Sequence, residues 1–152
     1  MAAEKKKRIL HVLVALNGAL AVFFSAFAAH WFEAIFRALH GTGLEEWTHD
    51  SVLSFQSTFK TGALYQLIHA VVILVLYFAM RQKTTRPQPT SAKLHSACLA
   101  SIYLFLVSTF VFSGSLYVLS LTGQRWLGAI TPIGGLGLII AWLSLGRSCW
   151  RD

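Results

Sequence analysis

Tyr65, Gln66 and His69 form the most chemically capable grouping in the chain, because an imidazole lies one turn beyond a phenol and an amide inside an otherwise apolar stretch. At about 100° per residue they share a narrow helical face with Gly62. A second polar stripe joins Thr109, Ser113, Tyr117, Ser120 and Gln124, and a third joins Gly128, Thr131, Gly135 and Trp142. An imidazole can carry a proton, and hydroxyls and amides can hold a polar species or one another. Polar groups in lipid must be paired to be tolerated, so two readings stay open: a hydrogen-bond network that fixes helix register, and a polar site for transport. A proton relay would recruit carboxylates within the apolar runs, and the nearest is Glu33 at their edge. Ser113, His69 and Tyr117 make no hydrolase triad, since no acidic residue is placed to orient His69. No catalytic or cofactor-binding residues are expected, and no cofactor. Cys98 and Cys149 with scattered histidines lack the spacing of a closed four-ligand metal site, so both cysteines are expected as reduced thiols.

The elements that must position these groups are four apolar runs: Ile9 to His30, Thr61 to Met80, Ala97 to Leu121 and Leu127 to Leu145. A helix needs about 20 mostly apolar residues to cross a hydrocarbon core of about 30 Å, with its backbone hydrogen bonds satisfied internally. Little sequence remains for a soluble domain. The expectation is an all-α membrane protein, one domain over 1–152, built as a four-transmembrane-helix bundle with spans at about 9–30, 61–80, 97–121 and 127–145. A competing reading makes the first run a secretory signal, with Lys5 to Arg8 ahead of it and Ala26-Phe27-Ala28 as the cleavage site. Its length exceeds the usual apolar core of about 7 to 15 residues in such signals.

Lysine and arginine near span ends resist translocation. The cluster Lys5 to Arg8, the basic loop 81–96 (Arg81, Lys83, Arg86, Lys93) and the tail (Arg147, Arg151) fall on one side, and only Arg37, Lys60 and Arg125 on the other. Both termini are therefore expected on the cytosolic side, or the matrix side in a mitochondrion. This asymmetry accounts for the net charge of +7 without nucleic-acid binding, and the basic rim suits anionic lipid head groups.

The segment 31–40 reads as a short interfacial helix, with Trp31, Phe32, Ile35, Phe36 and Leu39 interleaved with Glu33, Arg37 and His40. Glu33 and Arg37 can pair one turn apart. Gly41-Thr42-Gly43 ends it, and Glu45, Glu46 and Asp50 make the rest of the connection acidic. Asp50 or Ser51 can cap a helix that enters the membrane before Thr61. The inner connection, with Thr84, Thr85, Pro87, Gln88, Pro89 and Thr90, reads as a solvent loop.

Within lipid, helices associate through close backbone approach and interhelical hydrogen bonds, so small residues mark packing faces. The candidates are Gly18, Ser25 and Ala29 on the first span, Gly62 on the second, Gly114 on the third, and Gly134 and Gly135 on the fourth. Depth favours one polar cluster of Tyr65, Gln66, His69, Ser113, Tyr117 and Thr131 in the outer half of the membrane, His69 lying about 12 Å below Thr61. His30 sits above it at the interface. Pro132 after Thr131 implies a kink or a capped helix start, leaving Trp126 to Thr131 as a distorted first turn or as irregular backbone shielded by protein. A broken helix whose positive end meets an anion is the transporter-like version.

Phe112-Ser113-Gly114-Ser115-Leu116-Tyr117, Leu121-Thr122-Gly123, Leu127-Gly128 and Ile130-Thr131-Pro132-Ile133-Gly134-Gly135 with Trp142 together resemble the C-terminal signature of the transmembrane protein 256 family. Phe59-Lys60-Thr61-Gly62 with Tyr65-Gln66 and His69-Ala70 is similar to its second-span motif, and Gly18-Ala19 with Ala26-Phe27-Ala28-Ala29-His30 to its first. Ala28 stands where the family usually has glycine, and Trp31 to Gln56 is longer than expected. The resemblance implies four spans and no known enzymatic activity, with eukaryotic members in mitochondria.

Two functional expectations follow. One is a non-catalytic accessory or assembly subunit of a larger, respiratory-type complex in the mitochondrial inner membrane, with its aromatic outer helix and Trp126, Trp142 and Trp150 against lipid or other membrane-protein subunits. The other is a homo-oligomeric transporter or channel centred on His69.

Overall fold

Where a chain this apolar is long enough to cross lipid, helix is the backbone solution that leaves no polar group unpaired. A computed structural model describes residues 2–41, 47–81 and 89–149, and every long element in them is a helix. They are α1 (Ala2–His30), α2 (Phe32–His40), α3 (His49–Arg81), α4 (Pro89–Thr122) and α5 (Thr131–Cys149), with a 3-10 turn at Arg125–Ala129 before α5. Four of these helices, α1, α3, α4 and α5, are long and apolar enough to span a membrane. Glu45, Glu46, Lys83, Trp150 and the Thr84 to Gln88 segment lie outside the described residues.

The helices run longer than the apolar stretches. α3 has 33 residues, roughly 50 Å at 1.5 Å per residue against a hydrocarbon core of about 30 Å. It starts at His49, well before Thr61 as expected, and the extra turns stand above the span. The cap is Thr48: its Oγ1 accepts from the Ser51 backbone N–H at 3.3 Å, and the Ser51 hydroxyl donates to the Thr48 carbonyl at 2.7 Å. Asp50 and Ser51, the expected caps, lie inside the first turn. α4 begins at Pro89, so the second half of the expected loop 81–96 is helical. Proline tolerates a first helical turn because its missing N–H would have no partner there.

The ends are set by local chemistry. Gly41 ends α2 at φ 75° and Gly123 ends α4 at φ 69°, both in the left-handed region that glycine enters without penalty. The Gly123 N–H donates to the Leu119 carbonyl at 2.8 Å, closing the last turn. A side chain at Gly123 would also meet the Trp47 ring, 2.8 Å from the Cβ position.

α1 packs along α3, α3 along α4 and α4 along α5, each pair antiparallel. One core, at the end holding the N-terminus, joins Leu10 and Val14 of α1, Ile73, Leu76 and Tyr77 of α3, Ile102 and Phe105 of α4, and Leu138 and Ala141 of α5. The second, at the opposite end, gathers Ala28, Phe32, Phe36, Val52, Phe59, Ala63 and Tyr117. The outer members of the row carry the most lipid-facing surface: 17% of the apolar window of α1 and 22% of that of α5 is buried, against 39% and 44% for α3 and α4.

The buried face of α1 differs from the expected one. Leu10, Val14, Ala21 and Ala28 are buried, while Ala29 is exposed, Gly18 meets nothing and Ser25 bonds only the Ala21 carbonyl of its own helix at 2.8 Å. The face is rotated by about one residue, 100° on the helix, because alanine at 21 and 28 already allows close approach to α3. Gln56 uses that approach, its Nε2 donating to the Ala28 carbonyl at 2.9 Å. On α5 the tight position is Gly134, where a Cβ would fall 2.7 Å from the Phe112 Cα, and at Gly137 it would run into Ser108. Gly135 has only ordinary contacts and Gly114 none. Gly62 is close-packed, with Tyr117 Cε1 at 3.0 Å and the Ser113 carbonyl at 3.3 Å from a Cβ there.

α2 is amphipathic in two senses. Phe32 and Phe36 are buried and stack on each other, and Phe36 stacks on Phe55, while Trp31, Ile35 and Leu39 point outward. Glu33 and Arg37 form the exposed pair at 2.8 Å. His40 turns from the expected polar face: its ring stacks on Phe36 with centroids 4.3 Å apart and its Nδ1 lies 3.0 Å from the Phe36 carbonyl oxygen.

Candidate functional site

Helical phase brings Gln66 and His69 of α3 into the interior, 7% and 5% exposed, and Ser113 and Tyr117 of α4 with them. Their hydrogen bonds divide into separate groups rather than one cluster. In the first, the Tyr117 hydroxyl donates to Gln66 Oε1 at 2.7 Å. Gln66 Nε2 then reaches α1, donating toward Asn17 Oδ1 at 3.3 Å and the Asn17 carbonyl at 3.4 Å. This chain ties α4, α3 and α1 at one depth. Phe24 and Phe59 cover Tyr117, their ring centroids 4.4 and 4.5 Å from its own.

The second group centres on His69. Its Nδ1 lies 2.7 Å from the Tyr65 carbonyl oxygen, and the Trp142 Nε1–H of α5 points at its Nε2 across 3.4 Å. A carbonyl only accepts and an indole N–H only donates. The arrangement is therefore satisfied by the neutral ring with its proton on Nδ1, which donates to Tyr65 while Nε2 accepts from Trp142. Phe105 packs against both rings, at 5.6 Å from His69 and 5.4 Å from Trp142 between centroids. Tyr65 contributes its carbonyl and, more loosely, its ring, which lies near-parallel to His69 with centroids 6.1 Å apart. Its side chain is 40% exposed and lies on Phe112, with centroids 4.6 Å apart.

Thr131 belongs to a third group on the α4–α5 side, where its Oγ1 is 2.9 Å from the Ser115 hydroxyl. The Thr131 hydroxyl also reaches the Leu127 carbonyl at 3.4 Å, bridging the 3-10 turn and α5. Pro132 is the second residue of α5, so it starts the helix after an irregular turn instead of kinking a continuous one. Ser113 is fully buried beside Gly62, and its hydroxyl has no partner, like those of Ser101, Thr109 and Ser120. Rotation about χ1 brings each such hydroxyl within reach of the carbonyl four residues back. His30 is exposed.

Asn17, Gln56 and Ser115 are participants that helical phase alone did not single out. Asn17 had a signal: it is the only asparagine in the chain and sits midway along the first apolar run. Among the described residues no group of three metal-ligating side chains is present.

A row of four lipid-length helices whose sparse polar side chains engage one another defines a small integral membrane protein. Residues 24–135 match the family described as Protein of unknown function (DUF423). The chain is 33% identical over 138 residues to the UPF0382 membrane protein YwdK of Bacillus subtilis, covering 91% of this chain and 93% of that one. It is 35% identical to a UPF0382 membrane protein of Staphylococcus epidermidis, covering 91% and 92%. To the UPF0382 inner membrane protein YgdD of Escherichia coli it is 28% identical, covering 89% and 84%. The chain belongs to the DUF423 family, the group to which the transmembrane protein 256 proteins belong. No solved structure matches it.

Proposed function

We propose that the protein is a non-catalytic accessory or assembly subunit of a larger membrane complex of the respiratory type. The observation that carries this reading is the state of His69: both ring nitrogens face partners on neighbouring backbone and helix, which suits a residue that fixes register more than one that hands protons onward. The Tyr117–Gln66–Asn17 chain supports it in the same way. The outward residues Trp31, just before α2, Ile35 and Leu39 of α2, and Ile133, Leu136, Ile140 and Leu143 of α5 offer apolar surface to lipid and to neighbouring subunits.

The basic end of the row carries Lys5, Lys7, Arg8, Arg81 and Arg147, and the other end carries Glu33, Arg37, Asp50 and Lys60. We assign the basic end, with both termini, to the cytosolic or matrix side and to contact with an anionic leaflet. The relatives described above are bacterial, one of them an inner membrane protein, and the mitochondrial inner membrane is the equivalent location in a eukaryotic cell.

Extraction in a mild detergent followed by identification of co-migrating proteins tests this reading. Co-migration with a defined multi-subunit assembly is the expected result. A lone monomer, together with solute flux in proteoliposomes that His69→Asn abolishes in a folded protein, would replace it with the transporter reading.

A further inference from the structure

At the basic end, where α1 meets the end of α3, three side chains interlock outside the network described above. The Arg81 Nη1–H donates to the Tyr77 hydroxyl oxygen at 3.2 Å, and the guanidinium carbon lies 5.7 Å from the Tyr77 ring centroid. The same hydroxyl is 3.0 Å from His11 Nδ1. Tyr77 is 6% exposed, while Arg81 and His11 are both exposed. With Arg81 donating to the oxygen, the phenol proton is available to His11 Nδ1, which leaves the ring's Nε2–H and the remaining guanidinium N–H groups turned to the surface. Lys7 and Arg8 lie one turn back on α1. No carboxylate among the described side chains pairs with Arg81 or His11.

We propose that this junction seats the phosphate of an anionic phospholipid. Tyr77 holds Arg81 and His11 in place as two donors at head-group depth, and the two stand on different helices, so the phosphate bridges α1 to α3. Leu74, Phe78 and Arg81 recur at helical spacing on one face of α3, and Leu74 and Phe78 are exposed, giving an acyl chain an apolar track leading away from the donors. Ile9 and Leu13 are exposed on the adjoining stretch of α1. A free phosphate shares the head-group chemistry but has no use for this track. The inference rests on the reading that the basic end faces an anionic leaflet, and it names the place where one lipid is held.

The test is native mass spectrometry of the full chain released from detergent with added phosphatidylglycerol or phosphatidylcholine, for the wild type, Arg81→Gln, His11→Gln, and Arg147→Gln as a control at the same end. The expected result is preferential retention of phosphatidylglycerol by the wild type, reduced about fivefold in Arg81→Gln and less in His11→Gln, and unchanged in Arg147→Gln. Unchanged thermal unfolding in lipid-free detergent shows that the variants are folded. A preference lost equally in all three variants would leave the basic-rim reading standing and overturn the site. Equal retention of both lipids by the wild type would overturn both. Displacement by millimolar inorganic phosphate as effectively as by phosphatidylglycerol would assign the junction to small anions and overturn the lipid.

Discussion

Tyr117 of α4 donates its phenolic proton to the side-chain oxygen of Gln66 on α3 across 2.7 Å, in a part of the bundle where neither residue is more than 8% exposed. Because this bond joins helices in a medium without competing water, it should couple the two positions. A double-mutant cycle on Tyr117→Phe and Gln66→Leu, read by unfolding in mild detergent, is expected to give a favourable coupling of about 0.6 to 1.7 kcal/mol. Additive losses would mean the bond holds nothing. Asn17→Leu should weaken the same helix contact by a smaller amount, since its bonds to Gln66 are longer.

The second relationship concerns a tautomer. If the Tyr65 carbonyl and the Trp142 indole hold His69 as described, the neutral ring carries its proton on Nδ1. Nitrogen-15 NMR of labelled histidine separates this from the Nε2–H form. Trp142→Phe removes the donor to Nε2 and is expected to cost about 0.5 to 1.5 kcal/mol while the fold persists. An Nε2–H ring in the wild type would contradict the assignment.

The spans were legible because apolar length is set by lipid thickness, and the aromatic outer helix because its charges recur at helical spacing. Which face of each span turns inward was harder to read. In water a polar face marks the outside, but in lipid the outside is as apolar as the core, so Val12, Leu16 and Leu20 of α1 look no different from buried Leu10 and Val14. The one-residue rotation of α1 and the outward position of Tyr65 both follow from that. Gln66, His69 and Tyr117 were readable as interior because polar atoms have nowhere else to go at that depth, but their sorting into separate pairs depends on distances the sequence does not carry. The 3-10 turn before Pro132 was foreshadowed by the proline and the short apolar length after it.

Glycine substitutions separate close approach from coincidence. Gly134→Ala and Gly137→Ala place a methyl group against the Phe112 backbone and Ser108. Each is expected to destabilise by about 1 to 3 kcal/mol through forced separation of α4 and α5. Gly18→Ala and Gly114→Ala meet nothing within 4 Å and should be neutral or stabilising by up to about 1 kcal/mol. Thermal unfolding of the four variants side by side checks the contrast, and equal behaviour would refute it.

The packing of α2 over the core at its end of the bundle, the α2 cap, depends on two aromatic rings and one backbone conformation. Phe36→Ala empties a site that is 1% exposed among Phe32, Phe55, Trp47 and His40, and should cost about 3 to 5 kcal/mol. Gly123→Ala meets both a positive φ and the Trp47 ring, so it should destabilise the same cap by more than 1 kcal/mol, roughly the penalty for alanine at a left-handed position. Limited proteolysis after residue 41 reports the loosening, and unchanged cleavage would count against the cap being held by these contacts.

The account rests on four crossings that leave the two ends of the helix row in different compartments. Single cysteines at Lys7, Arg37, Lys60, Arg81 and Arg147, in a chain with Cys98 and Cys149 replaced, can be labelled from each side of sealed vesicles with a membrane-impermeant maleimide. The predicted result is that Lys7→Cys, Arg81→Cys and Arg147→Cys react from one side, and Arg37→Cys and Lys60→Cys from the other. Labelling of Arg37→Cys and Arg81→Cys from the same side would contradict the account.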